Sequence, residues 1–290
     1  MSGQQPAPAG VDPNVPSSAR IYDYALGGKD NYAVDRAVAE KVFALAPEMP
    51  VMARRNREFL GRAVRYLAAE AGIRQFLDIG SGLPTQWNVH QVAMETAPEA
   101  RVVYVDYDPS VVTHGDALVA TTDNVAFIRG DLREIDDVLG HPGLRRLIDF
   151  DQPVAVLLVA VLHFVPDAED PHGTVSRLRE IMAPGSHLAI SHVTPDPHPE
   201  ETAELVEVST RAGAPWVARS HAEVMEFFGG FDLVEPGLVT APEWRPGITR
   251  KVNPEKMWVL AGVGRKPCPV RAPETPGDRR PRSGLRTSRG

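Results

Sequence analysis

The segment Phe76-Leu77-Asp78-Ile79-Gly80-Ser81-Gly82-Leu83-Pro84-Thr85 constrains this 290-residue chain more than any other. An apolar run ends in an acid, a Gly-x-Gly turn follows, and a helical pattern begins near residue 86. The order strand, tight turn, helix opens a βαβ unit. It is repeated downstream. Val102-Val103-Tyr104-Val105 runs into Asp106, and Val125-Ala126-Phe127-Ile128 leads to Gly130-Asp131. Strands are expected near 75–79, 101–106, 124–129, 154–160 and 186–192, with helices near 86–97, 110–120, 132–139 and 172–183. This alternation requires right-handed crossovers and so a parallel sheet covered on both faces. The longest apolar run, Val154 to Leu162, reads as a strand buried on both faces and is too short to cross a membrane.

Helices near 200–213 and 220–228 follow, then strands at about 231–240 and 256–264. No helix is expected between these last two, so they are free to pair as an antiparallel hairpin. The expected fold is α/β, with a mostly parallel seven-stranded sheet closed by that hairpin. Residues 17–72 read as a helical extension, with Ser17 and Ser18 as candidate N-caps and a break at Gly27-Gly28. A longer helix, Val51 to Ala71, carries Phe59, Ala63, Tyr66 and Leu67 on one stripe. Four units result: a Pro/Gly/Gln-rich tail at 1–16, the extension at 17–72, the α/β domain at 73–264 and a basic tail at 265–290. Both tails are expected to be disordered.

Ligands of open α/β sheets bind beyond the carboxyl ends of the strands, and here three consecutive strands each end in a carboxylate. A dinucleotide would place its pyrophosphate on a G-x-G-x-x-G turn, but the third glycine position is Thr85. Asp78 would also repel a pyrophosphate. The pattern instead resembles the cofactor site of class I S-adenosylmethionine-dependent methyltransferases. That cofactor has no phosphate and carries an ammonium and a sulfonium, which favour a nearby Asp78. Asp106 suits two ribose hydroxyls, since a carboxylate accepts only, and Asp131 suits the adenine amino group. An NAD-dependent oxidoreductase and a non-catalytic S-adenosylmethionine-binding regulator are the competing readings.

Further segments make the resemblance narrower. They are Ser18-Ala19-Arg20-Ile21-Tyr22-Asp23-Tyr24-Ala25-Leu26-Gly27-Gly28-Lys29-Asp30-Asn31-Tyr32, Arg54-Arg55-Asn56-Arg57-Glu58-Phe59-Leu60, Val105-Asp106-Tyr107-Asp108-Pro109, Leu162-His163-Phe164-Val165-Pro166-Asp167 and Leu233-Val234-Glu235-Pro236-Gly237-Leu238-Val239 with Trp244-Arg245-Pro246. Over residues 12–264 the chain resembles an actinobacterial family of S-adenosyl methyltransferases long catalogued as a domain of unknown function. The resemblance implies S-adenosylmethionine as cofactor, held by Asp78, Gly80, Ser81, Gly82, Asp106, Tyr107, Gly130, Asp131 and Leu132, with Tyr24 and Arg57 reaching in from the extension. It names no methyl acceptor.

Each residue also has a plainer reading. Asp108 competes with Asp106 for the ribose, or caps the helix that begins at Pro109. Tyr107 lies on the adenine or is a loop aromatic, and Asp131 caps the following helix whether or not it meets adenine. His163, just past the fourth strand, is a general base or a loop histidine, and His192 has a similar position. Methyl transfer needs no base in every case, because the sulfonium is already activated. Gly27-Gly28 allows a tight turn that would aim Lys29, Asn31 and Tyr32 at the pocket as a lid, with Tyr32 and His163 on the acceptor side. Arg54, Asn56 and Arg57 anchor the cofactor carboxylate or form a solvated helix face.

Charge narrows the acceptor. The net charge is −7, but residues 265–290 carry eight Arg/Lys against two acids, so the rest of the chain stands at −13. An acidic body lacks the basic surface that phosphate backbones need, which favours a small-molecule acceptor and excludes nucleic acid. No metal cluster is expected. The lone Cys268 and a polar stretch from Met1 to Gly10 fit a cytoplasmic chain. The oligomeric state is left open.

Overall fold

A computed structural model of the chain describes residues 10–84, 87–119, 122–247 and 257–268. Thr85, the first nine residues and the basic tail from 269 lie outside the described residues. The elements run α1 (Ser18–Leu26), α2 (Ala33–Leu45), α3 (Met49–Ala69), β1 (Gln75–Ile79), α4 (Val89–Met94), β2 (Arg101–Asp106), α5 (Pro109–Val119), β3 (Val125–Arg129), α6 (Ile135–Gly140), α7 (Pro142–Leu147), β4 (Ala155–Val159), α8 (Pro171–Ile181), β5 (His187–Val193), α9 (Pro199–Arg211), α10 (His221–Glu226), β6 (Asp232–Leu233), β7 (Val239–Thr240) and β8 (Val259–Arg265).

The sheet order is β3-β2-β1-β4-β5-β8-β6, with β7 also pairing β8. The first five strands are parallel, and β8 is antiparallel to β5. The order reverses between β1 and β4, so the loops after β1 and β4 diverge and leave a crevice. The expected final strand at 231–240 is broken into β6 and β7, giving eight strands among the described residues where seven were expected. Pro236 has no N–H for a ladder, and Gly237 sits at φ +92°, so Glu235-Pro236-Gly237 interrupts the strand. The antiparallel closure stands, because both pieces pair with β8. At the other end, β8 runs on to Arg265, and the Lys266 ammonium donates to the carbonyls of Arg179 and Met182, both at 2.6 Å. The order therefore extends into the stretch expected as tail. Helix α7, begun by Pro142 at its first turn, was not expected.

Alternation of side chains along the strands builds the two faces. Leu77 and Ile79 of β1 and Val103 and Val105 of β2 pack with α6, α7 and α8 on one face. Phe76, Val102 and Tyr104 pack with Phe59, Ala63 and Leu67 of α3 on the other. Asp78 and Asp106 fall in the same register as Phe76 and Tyr104, so both acids point toward α3. Trp244 closes this face with its ring edge-on to Phe59, 5.4 Å between centroids. Helices α1 and α2 lie across the carboxyl ends of the strands through contacts with α3 and α9. No helix among the described residues is long and apolar enough to cross a membrane.

Candidate active site

The turn after β1 is shaped by two glycines. Gly80 sits at φ +72°, and a Cβ there would lie 2.3 Å from the Val161 side chain, so only glycine lets the loop after β4 approach. The Gly80 N–H donates to the Val105 carbonyl at 2.8 Å, which ties the turn to β2. Gly82, at φ +65°, faces open space and donates its N–H to Asp106 Oδ2 at 2.9 Å. Asp106 Oδ1 accepts from the Asp108 N–H at 3.0 Å. Asp78, Asp106, Gly80, Ser81, Gly82 and Tyr107 line one cleft, with Arg57, Asn56 and Tyr22 of the helical extension opposite.

Burial sets the electrostatics of this cleft. Burial raises the Asp78 carboxyl to about 7; Arg57 opposes the rise and Asp106 adds to it. Burial likewise raises Asp106 to about 6, against the backbone N–H groups of Asp108, Gly82 and Tyr107 that stabilise its charge. The Arg57 guanidinium donates to Asn88 Oδ1 at 3.3 Å, while its buried Nε and the buried Ser81 hydroxyl have no hydrogen-bond partner among the described residues. Unpaired buried polar atoms are rare in folded chains and mark places where a ligand completes the bonding. A cation, a zwitterionic amino-acid group and a pair of ribose hydroxyls would meet these needs, so the residues present fit S-adenosylmethionine.

The cleft continues past Tyr107, which is 51% exposed, to Gly130, Asp131 and Leu132. Asp131 is the N-cap of the turn at Leu132–Glu134, accepting from the Arg133 N–H at 3.0 Å. Its carboxylate is also gripped by the Arg133 guanidinium at 2.8 and 2.5 Å, which holds it below the usual carboxylate range. Asp108 caps α5 through the Ser110 N–H at 2.8 Å.

The helical extension is clamped over this cleft by a buried polar cluster. Arg20 Nε donates to Asp35 at 2.8 Å, and Arg20 also lies 3.6 Å from Asp108. Asp35 accepts the N–H of Ser17 and of Tyr32, at 2.9 and 2.8 Å. The Ser17 hydroxyl donates to Asp108 instead of capping its own helix. One cluster thus ties α1, α2 and the loop after β2 together.

Several expected residues lie elsewhere. Tyr32 lines no cavity at the site; its ring lies under the Arg20 guanidinium, 5.1 Å from centroid to carbon. Tyr24 stacks on Phe43 and donates to Glu40 at 3.2 Å, also away from the cleft. The Gly27–Asn31 loop folds back on Asp23, which accepts from the Asp30 N–H at 3.0 Å and the Asn31 amide at 2.9 Å. A Cβ at Gly28 would meet the Asp23 carboxylate at 1.9 Å, so that glycine serves this closure. Asn31 is held further by Arg36. Of the second basic segment, Arg57 and Asn56 face the cleft and Arg54 is exposed.

Tyr22 occupies the place expected of Tyr24, with its hydroxyl donating to the Ala53 carbonyl and accepting from Asn56 Nδ2, each at 3.0 Å. The spacing Ser18, Tyr22, Ala25 on one stripe of α1 was the available signal; Tyr24 is about 200° further round. Asn56 in turn accepts from the Ser191 hydroxyl at 2.6 Å, and Ser191 accepts from the Ala160 N–H at 3.0 Å. His192, one residue along β5, points to the opposite face. Its Nε2 faces the Arg219 guanidinium at 3.0 Å and its Nδ1 the Val193 carbonyl at 2.7 Å. Arginine only donates, so Nδ1 carries the proton and both nitrogens are occupied. His163 borders a separate apolar cavity beside the cleft, and burial, His192 and Arg219 hold its pKa well below the ordinary value.

The fold and this cleft define a class I S-adenosylmethionine-dependent methyltransferase. The chain belongs to the S-adenosyl methyltransferase family, whose model matches residues 4–267. It is similar to the crystal structure of a DUF574 family protein from Streptomyces avermitilis, with 42% identity, a TM-score of 0.84 and coverage of 87% of this chain and 98% of that one. A Thermobifida fusca protein assigned provisionally as a methyltransferase is also 42% identical, with a TM-score of 0.86 and coverage of 90% of this chain and 98% of its own. None of the curated proteins matches the chain.

Proposed function

We propose that the chain methylates a small-molecule acceptor and that the cleft residues divide the cofactor between them. When bound, S-adenosylmethionine would supply a methyl group on an activated sulfonium, so that an acceptor lone pair can bond to the methyl carbon as the C–S bond breaks and the sulfur keeps the electron pair. Asp106 accepts from the ribose hydroxyls, Asp78 and Arg57 hold the ammonium and carboxylate of the amino-acid end, and the Gly80–Gly82 turn gives the close wall. Tyr107, Gly130, Asp131 and Leu132 border the adenine end, where Asp131 serves chiefly as a cap. The observation that carries this reading is the pair of buried carboxylates, Asp78 and Asp106, on one sheet face, opposite Arg57, whose buried Nε has no partner among the described residues.

His163 is neutral at working pH, which suits it to hydrogen bonding on the acceptor side more than to strong-base catalysis. Tyr32 and Tyr24 have no part in this assignment. The acidic body argues against a nucleic-acid acceptor, and the single cysteine accords with a cytoplasmic setting.

Titration calorimetry with S-adenosylmethionine, S-adenosylhomocysteine and NAD tests the reading. Both sulfur ligands should bind and NAD should not, and Asp106→Ala should weaken binding by about 1–3 kcal/mol, as for a lost charged hydrogen bond. If neither sulfur ligand binds, the cofactor assignment is wrong.

A further inference from the structure

An apolar chamber opens behind the wall formed by Tyr22 and Asn56, and the cofactor assignment leaves it unused. It is built from one stripe each of α1, α2 and α3, represented by Ile21, Val42 and Met52, and is bounded beyond by Trp216. Among the described residues, no Asp, Glu, Lys or Arg lines it. Its volume is about 120 Å³, against ~150 Å³ for an engineered apolar cavity that stays dry and binds benzene. The polar cleft and this chamber share Ser18, Tyr22, Asn56, Ala160 and Phe164.

The shared wall has a defined polarity. Ser191 accepts the Ala160 N–H, so its own proton goes to Asn56 Oδ1, and this fixes the orientation of the Asn56 amide. One Asn56 N–H then goes to the Tyr22 oxygen and the other has no assigned acceptor. Tyr22 donates its proton to Ala53 and keeps a lone pair. The wall thus offers one donor and one acceptor at the boundary of cleft and chamber, and His163, whose buried Nδ1 has no hydrogen-bond partner among the described residues, borders the chamber together with Ser18 and Ser209. Away from these few groups the described lining is apolar, so a charge inside would go uncompensated.

We propose that this chamber is the acceptor subsite, and that it takes an uncharged molecule with a compact hydrocarbon body of about one ring, its only nucleophilic heteroatom lying at the Tyr22–Asn56 wall. The inference rests on the methyltransferase reading and names its substrate class.

A matched pair of probes tests it: 4-methylphenol and 4-hydroxybenzoate, which differ by methyl against carboxylate at one end. Ligand-observed NMR titrations use the full chain saturated with S-adenosylhomocysteine. 4-Methylphenol should bind at least about tenfold more tightly than 4-hydroxybenzoate. Ala25→Phe, which fills the chamber from a half-buried position on α1, should weaken 4-methylphenol by about tenfold or more, with S-adenosylhomocysteine affinity within about twofold of wild type. Ile21→Trp fills the same space and replaces the first variant if that one fails to fold. Absent 4-methylphenol binding, an equal preference for the carboxylate, or binding indifferent to the filling variant would overturn the proposal while leaving cofactor binding intact. Failure of S-adenosylhomocysteine to bind would instead sink the methyltransferase reading, and the inference with it.

Discussion

The polar cleft and the apolar chamber share lining residues, Tyr22 and Asn56 among them, yet they arise from opposite chemistry. The cleft is made at the ends of neighbouring strands, where alternation puts Asp78 and Asp106 on one face and two glycines open the turn. The chamber is made where the apolar stripes of three helices fail to fill the space between them. The first holds two carboxylates whose pKa burial raises and two buried polar atoms, Arg57 Nε and Ser81 Oγ, without partners among the described residues, whereas the second has no Asp, Glu, Lys or Arg among its described lining. Such a division lets one protein hold a charged donor and an uncharged acceptor side by side, because each half desolvates only what it can compensate.

The sharpest way to break the comparison is to remove the roof that both halves share. Asp35→Ala leaves Arg20 buried beside Asp108 with its main partner gone, and should cost about 3–5 kcal/mol in unfolding free energy measured by denaturant titration. A loss under 1 kcal/mol on the same scale would mean that water reaches Arg20 and that the clamp is not buried in solution.

Asp78→Asn separates the two halves by charge. The folded pKa of Asp78, about 7, lies above that of a free carboxyl, so its contribution to stability is full below pH ~4 and lost as pH rises through about 7. The asparagine variant should therefore be more stable than wild type above neutral pH by about 1–3 kcal/mol in the ligand-free state. It should also bind S-adenosylmethionine about tenfold to a hundredfold more weakly. In the wild type a bound cation favours the carboxylate, so affinity should rise as pH passes through about 7 with release of a proton. Calorimetry in buffers of different ionisation enthalpy reads that proton, and a pH-independent affinity would exclude Asp78 from the cation's surroundings.

The mildest probe is Tyr22→Phe, which keeps the wall and removes its hydroxyl. It leaves Asn56 Nδ2 without its acceptor and should cost about 1 kcal/mol of stability, with S-adenosylhomocysteine affinity nearly unchanged. A large drop in cofactor affinity would show that the Tyr22 hydroxyl itself serves the cofactor and would blur the division.

Local patterns place elements along the chain better than they place faces or helix rotations. The strand spans and the placing of Asp78, Asp106 and Asp131 at strand ends follow from local, period-2 patterns, and the structure has them within a residue or two. Position at a strand end did not decide face. His192 sits where expected along β5 but points to Arg219, whereas its neighbour Ser191 points to Asn56. In the helical extension the Gly27-Gly28 turn was legible, but its partner Asp23 and the choice of Tyr22 over Tyr24 and Tyr32 were not. The strand expected over 231–240 carried its own breaker in Pro236.

By itself the sequence determined the alternating α/β order and the acids at the strand ends, because each depends on residues adjacent in the chain. Only the tertiary structure decided which face of α1 looks inward, which carboxylates are buried together, and that Ile21, Val42, Met52 and Val259 enclose one chamber. Helical periodicity records that a stripe will be buried, whereas the rotation at which each helix docks is set by the Arg20–Asp35–Asp108 clamp and by packing on α3.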